Sequence, residues 1–175
     1  RSTLIFFAFI QATKTGMFQV LTDEIGHVRI TGAGAKDARE FAATLIRDAA
    51  AVEAAIAREL PGARVARALE APALVSGETR SRGALITGIK HDDALLNRFQ
   101  ERHVASGRLP APGSMDEIAL GQALARALRL ELGDVVYVFA PGTEGWGAGA
   151  YTLVGLLQFP QTAIEIQTAY LSLEG

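Results

Sequence analysis

The chain has 175 residues, 49% hydrophobic and 21% charged, with 18 glycines, 6 prolines and no cysteine. That composition suits one folded domain or two small ones. It excludes a disordered tail, a collagen-like repeat, disulfides, thiol catalysis and cysteine-based zinc sites. The 17 basic and 19 acidic side chains leave a net charge of −2, so no broad positive field exists to hold a nucleic-acid backbone.

Residues 4–10, Leu-Ile-Phe-Phe-Ala-Phe-Ile, form an uninterrupted apolar run, far short of the ~20 residues that span a bilayer. It lacks the starting methionine, longer apolar region and small-residue cleavage site of a signal peptide, so the chain reads as a piece of something longer. Two readings stay open. One is a buried strand or the first turns of a core helix. The other is the outer end of a transmembrane helix over residues 1–18 that emerges into water at Gln11, Thr13, Lys14 and Thr15.

Residues 26–31 alternate small or apolar with polar side chains, as a half-buried strand does. Over residues 37–60, Phe41, Leu45, Ala49, Val52, Ile56 and Leu60 recur at spacings of three and four, which predicts an amphipathic helix. Asp48 is placed to cap a break within it, and Pro61-Gly62 stops it. Strands follow over 63–75 and 83–89, joined by the polar hairpin connection Ser76-Gly77-Glu78-Thr79-Arg80-Ser81. Asp92 and Asp93 open a helix over 92–104, with Leu95, Leu96, Phe99 and Val104 on its buried side. The prolines and glycines of residues 107–113 predict a loop.

Residues 117–121 read as a short strand feeding a helix over 122–130, whose apolar side is Leu124, Leu128 and Leu130. Leu132-Gly133-Asp134 turns the chain into Val135-Val136-Tyr137-Val138-Phe139, the most strand-like run. Residues 141–150 alternate glycines around Trp146 and predict a loop; residues 151–159 and 169–173 complete the strands. The order of elements is mixed rather than strictly alternating, which predicts an α+β fold. No internal repeat or low-complexity segment appears.

Catalytic signatures are sparse. Gly32-Ala33-Gly34-Ala35-Lys36-Asp37 puts a carboxylate where a dinucleotide-binding turn needs a third small residue. His27, His91 and His103 show no helical metal spacing, and no Gly-x-Ser-x-Gly elbow is present. Asp92 and Asp93 diverge by about 100° on a helix, so they serve its dipole rather than form an acid pair. No catalytic residue, metal ligand or cofactor site is expected. The one site-like feature is Gly145-Trp146-Gly147, a large aromatic on a glycine-rich loop, which either folds back over the core or meets a partner.

The stretch from Glu117 to Val136, with Leu120-Gly121 before a helix and Leu132-Gly133-Asp134 before a strand, resembles the periplasmic core domain of MacB-like and FtsX-like ABC transporter permeases, including the lipoprotein-releasing Lol permeases. Other pieces agree in order: Gly-His-Val-Arg-Ile at 26–30, Pro-Gly-Ala-Arg-Val at 61–65, Ile-Thr-Gly-Ile at 86–89, Tyr-Thr-Leu-Val-Gly-Leu at 151–156 and Ala-Tyr-Leu-Ser-Leu at 169–173. The resemblance implies an extracytoplasmic domain at the inner membrane over residues 19–175. It would have a porter-like α/β part mainly over 19–110 and a smaller, mostly-β, sabre-like part mainly over 111–168.

The resemblance further implies a non-enzymatic mechanical element that couples cytoplasmic ATP hydrolysis to export or extraction of a lipoprotein, lipid or small molecule. Its partners would be a cytoplasmic ATPase subunit, a second permease subunit, and a periplasmic adaptor or chaperone, with flanking helices in the membrane. Two departures stand out. The Lol permease that recruits the lipoprotein chaperone has a long hairpin where this chain has residues 141–150, and the family continues past Ala-Tyr-Leu-Ser-Leu with a strand-helix-strand. A membrane-tethered ligand-binding or sensory domain is the alternative, and a small α/β enzyme the third reading.

Overall fold

Strands predominate in the structure, a computed structural model that describes residue 30 and residues 45–89, 93–142 and 145–173. The chain divides into two units between Arg47 and Asp48, and every element below belongs to the second. Helix α1 spans Ala49–Glu59. Strands β1 (Ala68–Ser76) and β2 (Ser81–Ile89) follow, then helix α2 (Asp93–His103) running into β3 (Val104–Gly107). Strand β4 (Glu117–Gly121) leads directly into α3 (Gln122–Leu128). Strands β5 (Val135–Gly142) and β6 (Gly145–Leu157), the short helix α4 (Thr162–Glu165) and β7 (Thr168–Ser172) complete the order.

Asp48 caps α1 as its position in the sequence suggests, its carboxylate accepting from the Ala51 N–H at 2.9 Å. Val52 and Ile56 of the expected stripe are half-buried and Leu60 is exposed. A bidentate Arg67–Glu53 pair, with both contacts at 2.6 Å, ties α1 to the chain entering β1.

Six strands close into a barrel in the order β6-β4-β7-β2-β1-β5 and back to β6, with β3 as an extra strand on β6. The pairs β2–β7 and β4–β6 are parallel, and the other barrel pairs are antiparallel. The expected hairpin joins β1 to β2, with Ser76 opposite Ser81. Closure depends on β6, whose first half pairs with β5 while its second half pairs with β4 on one edge and β3 on the other. At the changeover Val154 is left over between the pairs Ile118–Leu153 and Ala119–Gly155. Such a bulge sharpens the local twist, which a small barrel needs.

This architecture overturns the expectation of an α+β fold with a porter-like α/β part and a smaller sabre-like part. The barrel draws β1 and β2 from residues assigned to the porter-like part and β4 to β6 from the sabre-like stretch. The reason lies in residues 141–150. Instead of a loop, the paired positions Ala140–Gly147, Pro141–Trp146 and Gly142–Gly145 extend β5 and β6 into one hairpin. On its other edge β5 pairs with β1 through Tyr137, Val138 and Phe139, and with β6 on the first edge the sheet closes.

Inside the barrel sit Ala73 and Val75 of β1, Ala84 and Ile86 of β2, Ile118 and Leu120 of β4, Val136 and Val138 of β5, Leu153 of β6 and Ala169 of β7. Leu124, Ala125 and Leu128 of α3 join the same core, so the helix plugs the barrel; Leu130, expected on the helix, reaches that core from beyond its end. Helix α3 ends at Leu128 because Arg129 takes a left-handed conformation, φ 59°. A second cluster lies outside the barrel wall: Leu109, Ala119, Leu157 and Phe159, with Phe99, Val104 and Tyr170 against them.

The N-terminal run, the strand at 26–31, the 32–37 turn and the part of the expected helix before residue 45 fall outside the described residues, Ile30 excepted. So do His27, His91 and Asp92, and the side chains of Leu95 and Leu96. Val104, expected at the end of a helix, begins β3 instead.

Candidate interaction face

Paired strand positions point to the same side of a sheet, so the register fixes what the barrel shows to the outside. Against the inward Val136 and Val138, β5 turns out Val135, Tyr137, Phe139 and Pro141. Opposite them β6 turns out Thr152, Ala150, Ala148 and Trp146. On the other side of β5, β1 contributes Pro72, Leu74 and Ser76; β2 then adds Ser81, Gly83, Leu85 and Thr87. None of these positions is charged, and the face ends on a charge at Glu70 of β1, which pairs with Thr87. Charged residues make up about a quarter to a third of an ordinary soluble surface, so a face of this size would normally carry several.

The large side chains here are open to solvent. Trp146 is 77% exposed, and Val135, Tyr137, Phe139, Leu74 and Leu85 lie between 43% and 48%. Among the described residues they form an uncovered belt across β6, β5, β1 and β2. Trp146 therefore does not fold back over the core; it stands at the hairpin end of this belt, flanked by Gly145 and Gly147. Gly145 has φ +126°, a conformation open to glycine and costly for other residues.

The belt has a definite relief. On β5 the rings of Tyr137 and Phe139 make a ridge, while beside them on β6 Ala150 and Ala148 make a trough. A charged border runs along the first residue of β4, which pairs with Thr152. There Glu117 receives a bidentate Arg108, one contact at 2.7 Å, and the Ala111 N–H at 2.8 Å. The hydrogen bonds from Arg108 and Ala111 hold its carboxyl pKa down at about 2. This pair also anchors the 107–113 segment.

Two further polar groups are structural. Glu165 is buried, with its oxygens accepting the Ala123 N–H at 2.7 Å and the Phe159 N–H at 3.1 Å. Arg126 lies 3.5 Å away. The carboxylate thus clamps the start of α3 to the segment after β6. Gly121 makes the clamp fit, since a Cβ there would meet the Glu165 carbonyl oxygen at 1.8 Å. His103 stacks on Phe159 with ring centroids 4.7 Å apart, and its Nδ1 lies 3.1 Å from the Gln158 carbonyl oxygen. Ser76 and Ser81 hydrogen-bond to each other at 2.8 Å.

Among the described residues no three His, Asp or Glu side chains gather as a metal site would require. Among them too, no helix is long and apolar enough to cross a membrane. The sequence pointed to Trp146 with its neighbours Gly145 and Gly147 but missed the belt that Trp146 belongs to. Its signal was the unbroken apolar run of residues 135–139. A strand apolar on both sides is one that expects to be covered on both. No family model matches the chain, and no curated protein matches it either.

Proposed function

We propose that this chain is an extracytoplasmic, non-catalytic domain of an ABC transporter permease, working through surface contact rather than chemistry. The observation that carries the reading is the stretch from Glu117 to Val136. Its Leu-Gly, Leu-x-x-Gly-Asp pattern resembles the permease domain, and it folds here as a strand, a helix, a turn and a strand, an order compatible with that reading. The uncharged belt supports the contact half of the proposal, because soluble monomers rarely expose an apolar patch beyond ~300–600 Å² without a use for it.

In this role the domain transmits the work of a cytoplasmic ATPase to a lipoprotein, lipid or small molecule on the outer side of the inner membrane. It does so together with a second permease subunit and, where one exists, a periplasmic adaptor. The test is purification of the full-length protein from membranes. The expected result is co-isolation of an ATPase subunit whose hydrolysis drives transport, with Trp146→Ala impairing transport while nucleotide binding stays within about twofold of wild type. Full-length protein that carries a kinase or cyclase activity and no ATPase would sink the proposal.

A further inference from the structure

We infer that the free edge of β6 over residues 145–151 is a docking site for an extended polypeptide segment of a partner, which joins the sheet as one more strand. The inference names a mode of recognition. It stands apart from the permease reading, which its test does not touch.

The two edges of β6 differ. From Gly145 to Thr152 one edge pairs with β5 throughout. On the opposite edge β4 arrives only at Thr152, whose N–H donates to the Asp116 carbonyl oxygen at 2.7 Å. Backbone groups alternate in direction along a strand, and the next N–H, that of Leu153, donates to Asp134 on the β5 side. Trp146, Ala148 and Ala150 alternate in step with Thr152, so their N–H and C=O groups point away from β5. Among the described residues these groups have no hydrogen-bond partner.

Other edges of the sheet are blunted. Strand β3 is four residues long, and its register slips between Val104 and Ser106. Past Leu74–Phe139, where the β1–β5 ladder ends, the next positions facing across the gap are Pro72 and Pro141. Neither has an N–H to offer. The β6 edge has no such guard. Gly-Trp-Gly-Ala-Gly-Ala-Tyr contains no proline and no charge, and its register with β5 is unbroken. An unguarded edge is a template for another strand.

Chemistry selects the occupant. It must present N–H and C=O groups every ~6.8 Å, the two-residue repeat of a strand, which an extended polypeptide does and an acyl chain does not. It takes the lane that β4 fills from Asp116 onward. Access to that lane is open on both faces. A Cβ on Gly147 would meet only the Ala140 carbonyl oxygen, at 4.0 Å, and the exposed Ala148 and Ala150 are small. Glycines within a strand mark places where a second backbone comes close. On the belt side, apolar side chains of the segment suit this lane, because they cover the Trp146 ring, 77% exposed.

Amide hydrogen exchange of the 175-residue chain tests the inference. The probe is a capped peptide of alternating threonine and valine, closed by a lysine at each end. The expected dissociation constant is on the order of 100 μM. At about 1 mM peptide, exchange at the Trp146, Ala148 and Ala150 amides then slows about tenfold, because only the unbound fraction exchanges. The Gly147 and Gly149 amides, already turned to β5, do not change. N-methylation of alternate peptide residues abolishes the protection when it falls on the N–H groups facing β6, and preserves it when it falls on the other set. Ala148→Pro removes an edge N–H without touching the β5 ladder, and weakens binding about tenfold or more. Ala150→Pro serves in its place if Ala148→Pro does not fold, and the peptide variants need no change to the chain.

Absence of protection at about 1 mM peptide overturns the inference. So does protection that survives N-methylation of both sets, since side chains lying on the belt would then hold the peptide. Protection lost on N-methylation but indifferent to both prolines would place the peptide on another edge, and overturns it as well.

Discussion

Strands β4 and β5 are almost equally apolar, yet they end in opposite surroundings. β4 is covered twice: Ile118 and Leu120 face the barrel core, and Ala119 on the other side lies under Leu109, Phe159 and the neighbours of α2. β5 is covered once. Val136 and Val138 reach the same core, but Val135, Tyr137 and Phe139 face water. The wall of the barrel thus has a finished side, from β7 through β4 to the second half of β6, and an unfinished side across β6, β5, β1 and β2. An unfinished apolar wall is evidence of an interaction, because the hydrophobic effect disfavours leaving rings in water when nothing is gained by it.

The largest expected effects fall on the finished side. Leu120 is fully buried at the meeting of barrel and plug. Leu120→Ala should cost about 2–5 kcal/mol in urea unfolding, the range for a large core side chain cut to a methyl. The same truncation at Phe139 should cost far less in dilute solution. Comparable losses at the two sites would mean that β5 is covered after all, and the contrast would collapse.

Next in size is the Glu165 clamp. Glu165→Ala leaves the Ala123 and Phe159 N–H groups without their acceptor, at a cost of about 2–4 kcal/mol. Hydrogen exchange at these two amides gives a local readout. Protection should fall there first and leave the β5–β1 ladder nearly unchanged.

Glu117 should show a pH signature. Its folded pKa is about 2 against an ordinary 4.5, so the folded state favours the ionised form. The resulting stability is fully present above pH 4.5 and is lost as the pH falls toward 2. Because Arg108 is half-exposed, solvent screening reduces the contribution to about 1–2 kcal/mol. Glu117→Gln should flatten the stability profile across that window; an unchanged slope would show that other carboxylates dominate it.

The sequence made the finished side more legible than the open one. Leu-Gly before α3, the Gly133-Asp134 turn and the 3.6-residue spacing of Leu124 and Leu128 are local signals, and they formed as read. Barrel closure was not legible, because it is a long-range event that hangs on β6 changing partners halfway along. Glycines at 142, 145, 147 and 149 look like loop residues, yet each takes a paired place in the hairpin, where a ladder needs backbone and not side chain. Glu165 gave no signal at all. A carboxylate that serves amides on two distant segments has no spacing to betray it.

The smallest expected effect is the most discriminating. Trp146 is the only tryptophan in the chain, so its emission reports this end of the belt and nothing else. At 77% exposure it makes little contact with its own barrel, and Trp146→Ala should change the stability of dilute protein by less than about 0.5 kcal/mol. Its emission in dilute protein should lie to the red, as for an indole in water. Blue-shifted emission together with a loss of several kcal/mol on Trp146→Ala would show the indole covered by its own fold, and the contrast between the two walls would collapse.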